Sequence, residues 1–135
     1  MNEIFVDAAA WLGLVDKNDP YHIAASQAFP DLLSSYHKLV TTNSVLGEAY
    51  NLIFRRCGHA AAISFLKSVY NSQKIEVIYI DRKTDKQAIN ILEKYDDQAF
   101  SLVDATSFSI MQQREIKEVF TFDHHFWIMG FTVLP

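Results

Sequence analysis

The 135-residue chain has one cysteine, three prolines, four glycines and no excess of basic charge. A lone Cys57 cannot form an intramolecular disulfide, so no covalent staple holds the fold, which fits a reducing cytoplasm. So little proline and glycine leaves no composition for long disordered linkers. No apolar run approaches the ~20 residues of a membrane helix. The opening MNEIFVDAAAWLGL carries Glu3 and Asp7 and no basic start, so it does not read as a signal peptide. Net charge is −4, from 12 basic against 16 acidic residues. That balance argues against a general polyanion-coating protein, which is usually basic. An acidic chain acting on nucleic acid needs bound divalent cations or a local basic patch at its site. What is present is ordinary for a globular protein: 50% hydrophobic and 21% charged residues, about one domain's worth, read as a single unit over 1–135.

Short β-rich runs alternate with longer helical ones. Ile4, Phe5 and Val6 form a compact apolar run that ends at Asp7. Residues 22–37 have helical spacing, with Pro30 expected to break or kink them. Strands are predicted at 39–42, 75–80, 119–122 and 131–134, and helices at 45–57, 59–71, 83–95 and 102–114, with Gly58 ending the first of these helices. Strands separated by helices imply right-handed crossovers and a mostly parallel sheet covered on both faces, an α/β sandwich. Sites in such folds lie where strands end and the next helices begin.

Four carboxylates occupy such places, and each has a bland explanation. Asp7 follows the first strand and precedes AAAWLGL, an N-cap position. Asp104 stands three residues after Ser101 in SLVDATSF, a capping box. Asp123 ends VFTF and precedes His124 and His125, a turn or cap position. Glu48 is harder to dismiss. With Ser44 as N-cap it falls at N4, past the reach of a capping box, beside Val45 and Leu52, with no basic residue three or four positions away. At one edge of a parallel sheet, four like charges would raise one another's pKa values unless a cation intervened. Hard oxygen ligands suit Mg²⁺ or Mn²⁺, which can activate water and neutralise charge on a phosphoryl group.

The order of these motifs, an Asp after the first strand, TTNSVLGE at 41–48, SLVDATSF at 101–108 and FTFDHHF at 120–126, resembles a PIN domain. Within that family it is most similar to the VapC-type ribonuclease toxins of bacterial toxin–antitoxin pairs. The likeness runs along the whole chain, including GFTVL near its end. It implies a three-layer α/β/α sandwich, a Mg²⁺- or Mn²⁺-dependent endoribonuclease leaving 5′-phosphate and 3′-hydroxyl ends, a homodimer, and inhibition by a cognate antitoxin. Asp7, Glu48, Asp104 and Asp123 match the family's acidic positions one by one. One departure stands out. The family often carries Thr or Ser after the first Asp, and here Ala8 and Ala9 follow. Loss of such an outer partner weakens metal binding about 10–100-fold. Thr42 and Thr121 are the candidates to compensate, with ordinary strand threonine as the plainer role for each.

Other residues invite weaker readings. His124 and His125 beside Asp123 suggest zinc, but no second Cys/His cluster exists, and a solvated turn is the expectation. Arg55 and Arg56 are candidates for RNA phosphates or an antitoxin carboxylate, against exposed helix-end charges. Asp96 and Asp97 read as a solvated loop, Cys57 as core, and His22, His37 and His59 as surface groups. Trp11, Phe29, Tyr36 and Phe54 suit either packing or a dimer and antitoxin surface. Two rivals to the nuclease stand. One is a PIN-like RNA- or protein-binding module that has lost activity, motivated by Ala8 and Ala9. The other is a receiver-like phosphoacceptor domain, which wants paired acids after the first strand and a late Lys that this chain lacks.

Overall fold

Ile4, Phe5 and Val6 have no solvent exposure in the computed structural model, which describes residues 2–135. An apolar run buried on both faces is what a central strand of a parallel sheet requires. The run forms β1 (Glu3–Val6), flanked by β2 (Lys38–Thr42) and β4 (Glu118–Phe120), with β3 (Ile75–Ile78) and β5 (Thr132–Leu134) at the edges. Every pairing is parallel and the order is β3-β2-β1-β4-β5. Between β1 and β3 the chain moves one way across the sheet through α1 (Ala8–Val15), α2 (His22–Ser35), α3 (Asn43–Cys57) and α4 (His59–Asn71). It then returns past β1 through α5 (Arg82–Lys94) and α6 (Leu102–Gln113), and α7 (His125–Ile128) links β4 to β5. Right-handed crossovers put α1–α4 on one face and α5 and α6 on the other, giving three layers. This order separates the fold from the receiver-like rival, whose third strand lies beside its first. Among the described residues no helix is long and apolar enough to cross a membrane.

Helix α6 lies against the sheet so closely that every residue from Asp104 to Met111 is buried. Small residues make this possible: Ala105, Ser107 and Ser109 let the backbone approach, and the Thr106 and Ser107 hydroxyls donate to the Val103 carbonyl at 2.9 Å. Phe108 fixes its depth, meeting Phe100 and Phe126 edge-on with centroids 5.1 and 5.0 Å away.

Five local expectations are corrected. Helix α2 runs unbroken through Pro30, because Ala25 and Leu32 are buried and Phe29 packs on Trp11 and Phe120, and that packing outweighs the lost amide. The cap of α3 is Thr42 and not Ser44, so Glu48 lies in the second helical turn. Cys57 is exposed, at the end of α3 where the helix leaves the core. The strands at 75–80 and 119–122 end at Ile78 and Phe120, and the turn foreseen at His124 and His125 opens a short helix. Tyr36 and Trp11 are core, Phe29 is partly buried against it, and Phe54 is exposed.

The Thr42 hydroxyl accepts the Val45 amide at 3.0 Å, so Thr42→Val should cost about 1 kcal/mol in urea denaturation. Thr42→Ser, which keeps the oxygen, should restore most of it.

Candidate active site

The register of β1 on β4 sets the first pair of groups. Phe5 lies opposite Val119 and Val6 opposite Phe120, so the next residues, Asp7 and Thr121, meet at the crevice where the strand order reverses. The Asp7 amide donates to the Phe120 carbonyl at 3.1 Å, and the Thr121 hydroxyl donates to Asp7 Oδ2 at 3.0 Å. Asp7 occupies the N-cap position of α1, yet its side chain makes no capping bond. The plain role available to it in sequence is therefore unfilled. Only 4% of Asp7 is exposed, and burial is the main cause that pushes its carboxyl up to about 7. The Ala8 amide and Thr121 oppose that rise, while the charges of Asp104 and Glu48 add to it.

Asp104 does have the capping box: its amide donates to Ser101 Oγ and its Oδ2 accepts the Ser101 amide, both at 3.0 Å. Asp123 Oδ1 accepts the His125 amide at 3.0 Å, and its own amide donates to Thr121 Oγ1 at the same distance. Thr121 thus ties Asp7 to the Asp123 turn. Glu48 reaches the group from α3, which touches α6 as well as its own layer. Its carboxyl is pushed up by burial first, then by the charges of Asp104 and Asp123. Each of the four acids therefore feels at least one of the others.

Arg55 and Thr42 are not part of this group. Arg55 lies two turns beyond Glu48, roughly 10 Å along the helix, with its Nε donating to the Asn51 carbonyl at 3.3 Å. Arg56 pairs with Asp19 at 3.3 Å and Asp16 at 3.7 Å. The Thr42 hydroxyl serves α3 as its cap. Sequence reasoning missed His125. Its side chain is only 20% exposed, and its Nδ1 lies 3.0 Å from Asp104 Oδ2 and 3.4 Å from Asp123 Oδ1. The sequence carried one signal: an amide two residues after an Asp, the spacing of an Asx turn.

The donor set fits a hard divalent cation. All four acids offer carboxylate oxygens, and among the described residues no Lys or Arg lies within ion-pair distance of any of them. Among the described residues the one set whose ligand atoms all lie within 4.8 Å of one another is Asp123, His124 and His125, a softer set on the same turn.

The buried Asp7 links metal-free stability to pH. Its folded pKa, about 7, lies above the unfolded value of 3.8, so the stabilisation is complete below 3.8 and lost as pH rises through 7. At ~1.4 kcal/mol per tenfold change in ionisation, the loss is on the order of 4 kcal/mol. Asp7→Asn should accordingly melt higher than wild type at pH 8 in EDTA, with the gap closing near pH 4. Thermal melts across that range check it.

Comparison with known proteins agrees along the chain. The PIN domain family model matches residues 4–131. The chain is 34% identical over 128 residues to the 23S rRNA-specific endonuclease VapC20 of Mycobacterium tuberculosis, covering 95% of both proteins. It is 27% identical over 139 residues to ribonuclease VapC26 of the same organism, covering 98% of this chain and 100% of that one. The crystal structure of M. tuberculosis VapC20, described as a sarcin-ricin loop cleaving toxin, aligns with a TM-score of 0.90 at 34% identity over 98% of this chain and 99% of that one. A toxin–antitoxin complex from Klebsiella pneumoniae aligns with a TM-score of 0.68 at 13% identity over 98% and 96%, a likeness of fold alone. A backbone and a sequence that both match over nearly their full length, around four acids at one sheet edge, make this chain a member of the PIN domain family.

Proposed function

We propose that the protein is a Mg²⁺- or Mn²⁺-dependent endoribonuclease and the toxin of a toxin–antitoxin pair. The observation that carries this reading is the grouping of four acids in which Thr121 ties Asp7 to the Asp123 turn, His125 bridges Asp123 and Asp104, and Glu48 feels the charges of Asp104 and Asp123, with no Lys or Arg within ion-pair distance among the described residues. The names of the relatives support ribosomal RNA as substrate, in particular a structured loop of the 23S molecule. Asp7, Asp104 and Asp123, with Glu48, would hold the metal, which supplies charge neutralisation at the scissile phosphate and acidifies water. The chain's own groups do the rest. Thr121 holds Asp7, Ser101 holds Asp104, and the α7 amide holds Asp123. Glu48, half-buried on α3, is the carboxylate that would take the proton from the attacking water. The water oxygen bonds to phosphorus as the bond to O3′ breaks, and the departing O3′ takes a proton from solvent, leaving a 5′-phosphate and a 3′-hydroxyl.

The reading extends to a cytoplasmic homodimer with an antitoxin as partner. Trp11 and Phe29 pack on one another, and their outer edges reach a surface open to docking. They line an open apolar cleft of about 450 Å³ with Leu14, Leu33, Phe65 and Val69, a surface suited to an apolar segment of that partner. The rival of a PIN-like module without activity rested on Ala8 and Ala9. Thr121 weighs against it, because the hydroxyl missing from the chain after Asp7 arrives instead from the residue just past β4.

With a 23S fragment carrying the sarcin-ricin loop, wild type should cut in Mn²⁺, stop in EDTA and recover when Mn²⁺ returns. Asp104→Asn should slow cleavage more than about 100-fold, beyond the loss expected for an outer partner. Equal rates for the two proteins would end the assignment. Thr121→Val should cost about 10–100-fold in Mn²⁺ affinity, measured by calorimetry, while the fold persists.

A further inference from the structure

His125 makes two hydrogen bonds to the acid group from one residue. Its backbone amide donates to Asp123 Oδ1 at 3.0 Å, and its Nδ1 lies 3.0 Å from Asp104 Oδ2. A carboxylate that holds a cation only accepts, so in that role of Asp104 the contact requires the hydrogen on Nδ1. Asp104 Oδ2 then receives two donors, Ser101 N–H and His125 Nδ1–H. Among the described residues no protein donor reaches Asp104 Oδ1 or Asp123 Oδ2, so each aspartate has one oxygen tied and one free.

The imidazole is itself held. Phe100 meets it edge-on with centroids 5.3 Å apart, and Phe100 is braced in turn by Phe108. The residue after it, Phe126, is fully buried and packs on Phe5 and Phe108, which anchors α7 to the sheet and to α6. A four-residue helix would not persist alone, so Phe126 is what gives His125 a fixed address. His124, one position earlier, is exposed and lacks this support.

We propose that His125 is a positioning residue of the active site. Its Nδ1–H and backbone N–H lock one oxygen each of Asp104 and Asp123, so that the opposite oxygens face the cation together. This rests on the metal-dependent nuclease reading, and it assigns α7 a role in building the metal site.

The test compares Mn²⁺ binding by calorimetry for wild type, His125→Asn, His125→Phe and His125→Gln, with thermal melts to verify folding. Asparagine places an amide N–H near the position of Nδ1 and should bind within about threefold of wild type. Phenylalanine keeps a ring against Phe100 but has no donor, and should weaken binding about 10–100-fold. Glutamine, whose amide falls nearer Nε2, should behave like phenylalanine. Wild-type affinity in His125→Phe would overturn the proposal. So would loss in His125→Asn equal to that in His125→Phe, which would make the imidazole a metal ligand. The ¹⁵N spectrum of the imidazole in the metal-free protein is a separate readout: a protonated Nδ1 is expected, and a bare Nδ1 with the proton on Nε2 overturns the proposal even should His125→Phe fail to fold. Failure of wild type to cut RNA in Mn²⁺ would instead strike the nuclease reading, leaving the imidazole result to stand on its own.

Discussion

The parallel register between β1 and β4 decides where the rest of the site lies. Because Val6 pairs with Phe120, Asp7 and Thr121 leave the sheet side by side, and a hydroxyl from one strand reaches the carboxylate of the other. The same hydroxyl accepts the Asp123 amide, so the loop after β4 is fastened to the end of β1 by one oxygen. A shift of this register by one residue would turn Asp7 away from Thr121 and break the bond between them. The apolar runs Ile4–Val6 and Val119–Phe120, fully buried, make that shift costly.

The two edges of the sheet treat acidic residues differently. At the N-terminal edge Glu3 and Glu76 share Arg114, which bonds both carboxylates at 2.8 to 3.3 Å, and Glu118 accepts the Tyr36 hydroxyl at 2.7 Å. Each acid there has a donor from another element. At the C-terminal edge four acids gather with hydroxyl, amide and imidazole donors and no guanidinium or ammonium within ion-pair distance among the described residues. A chain able to place Arg114 so well at one edge shows that like charges at the other are not for want of cations. The imbalance is a local feature of the fold, and it adds to the burial that chiefly raises the proton affinity of Asp7 and Glu48.

Much of this was legible because strand ends and helix starts have strong local signatures. Asp7, Asp104 and Asp123 lie at those junctions, with Glu48 a turn further into α3, the capping box at Ser101 and Asp104 formed as its spacing implied, and alternating runs gave the parallel sandwich. The errors lie where tertiary contacts overrule a local rule. Pro30 sits inside α2 because Phe29 and Leu32 hold the helix down. Thr42 caps α3 because the strand before it ends there in extended geometry, and Ser44, two residues on, was an equally good cap by chemistry. Cys57 follows the apolar stripe of α3 in sequence but falls past the end of the layer. Thr121 is legible as a candidate to compensate for Ala8 and Ala9, but its place beside Asp7, across the sheet, is something only strand pairing reveals. His125 was passed over for the same reason, since its nearest acid in space, Asp104, is 21 residues away.

Capping and catalysis, weighed as alternatives for Asp104 and Asp123, turn out to be compatible. A capping box or an Asx turn engages one carboxylate oxygen and fixes the side-chain rotamer, which leaves the second oxygen in a defined place. The bonds that made each acid explicable as ordinary local structure are those that would keep it from reorganising when a charged ligand arrives. Asp7 differs, since no capping bond restrains it and a single hydroxyl must do so against the cost of burial. The dependence of the site on Thr121 should therefore exceed its dependence on Ser101, whose loss would still leave Asp104 its bond from His125.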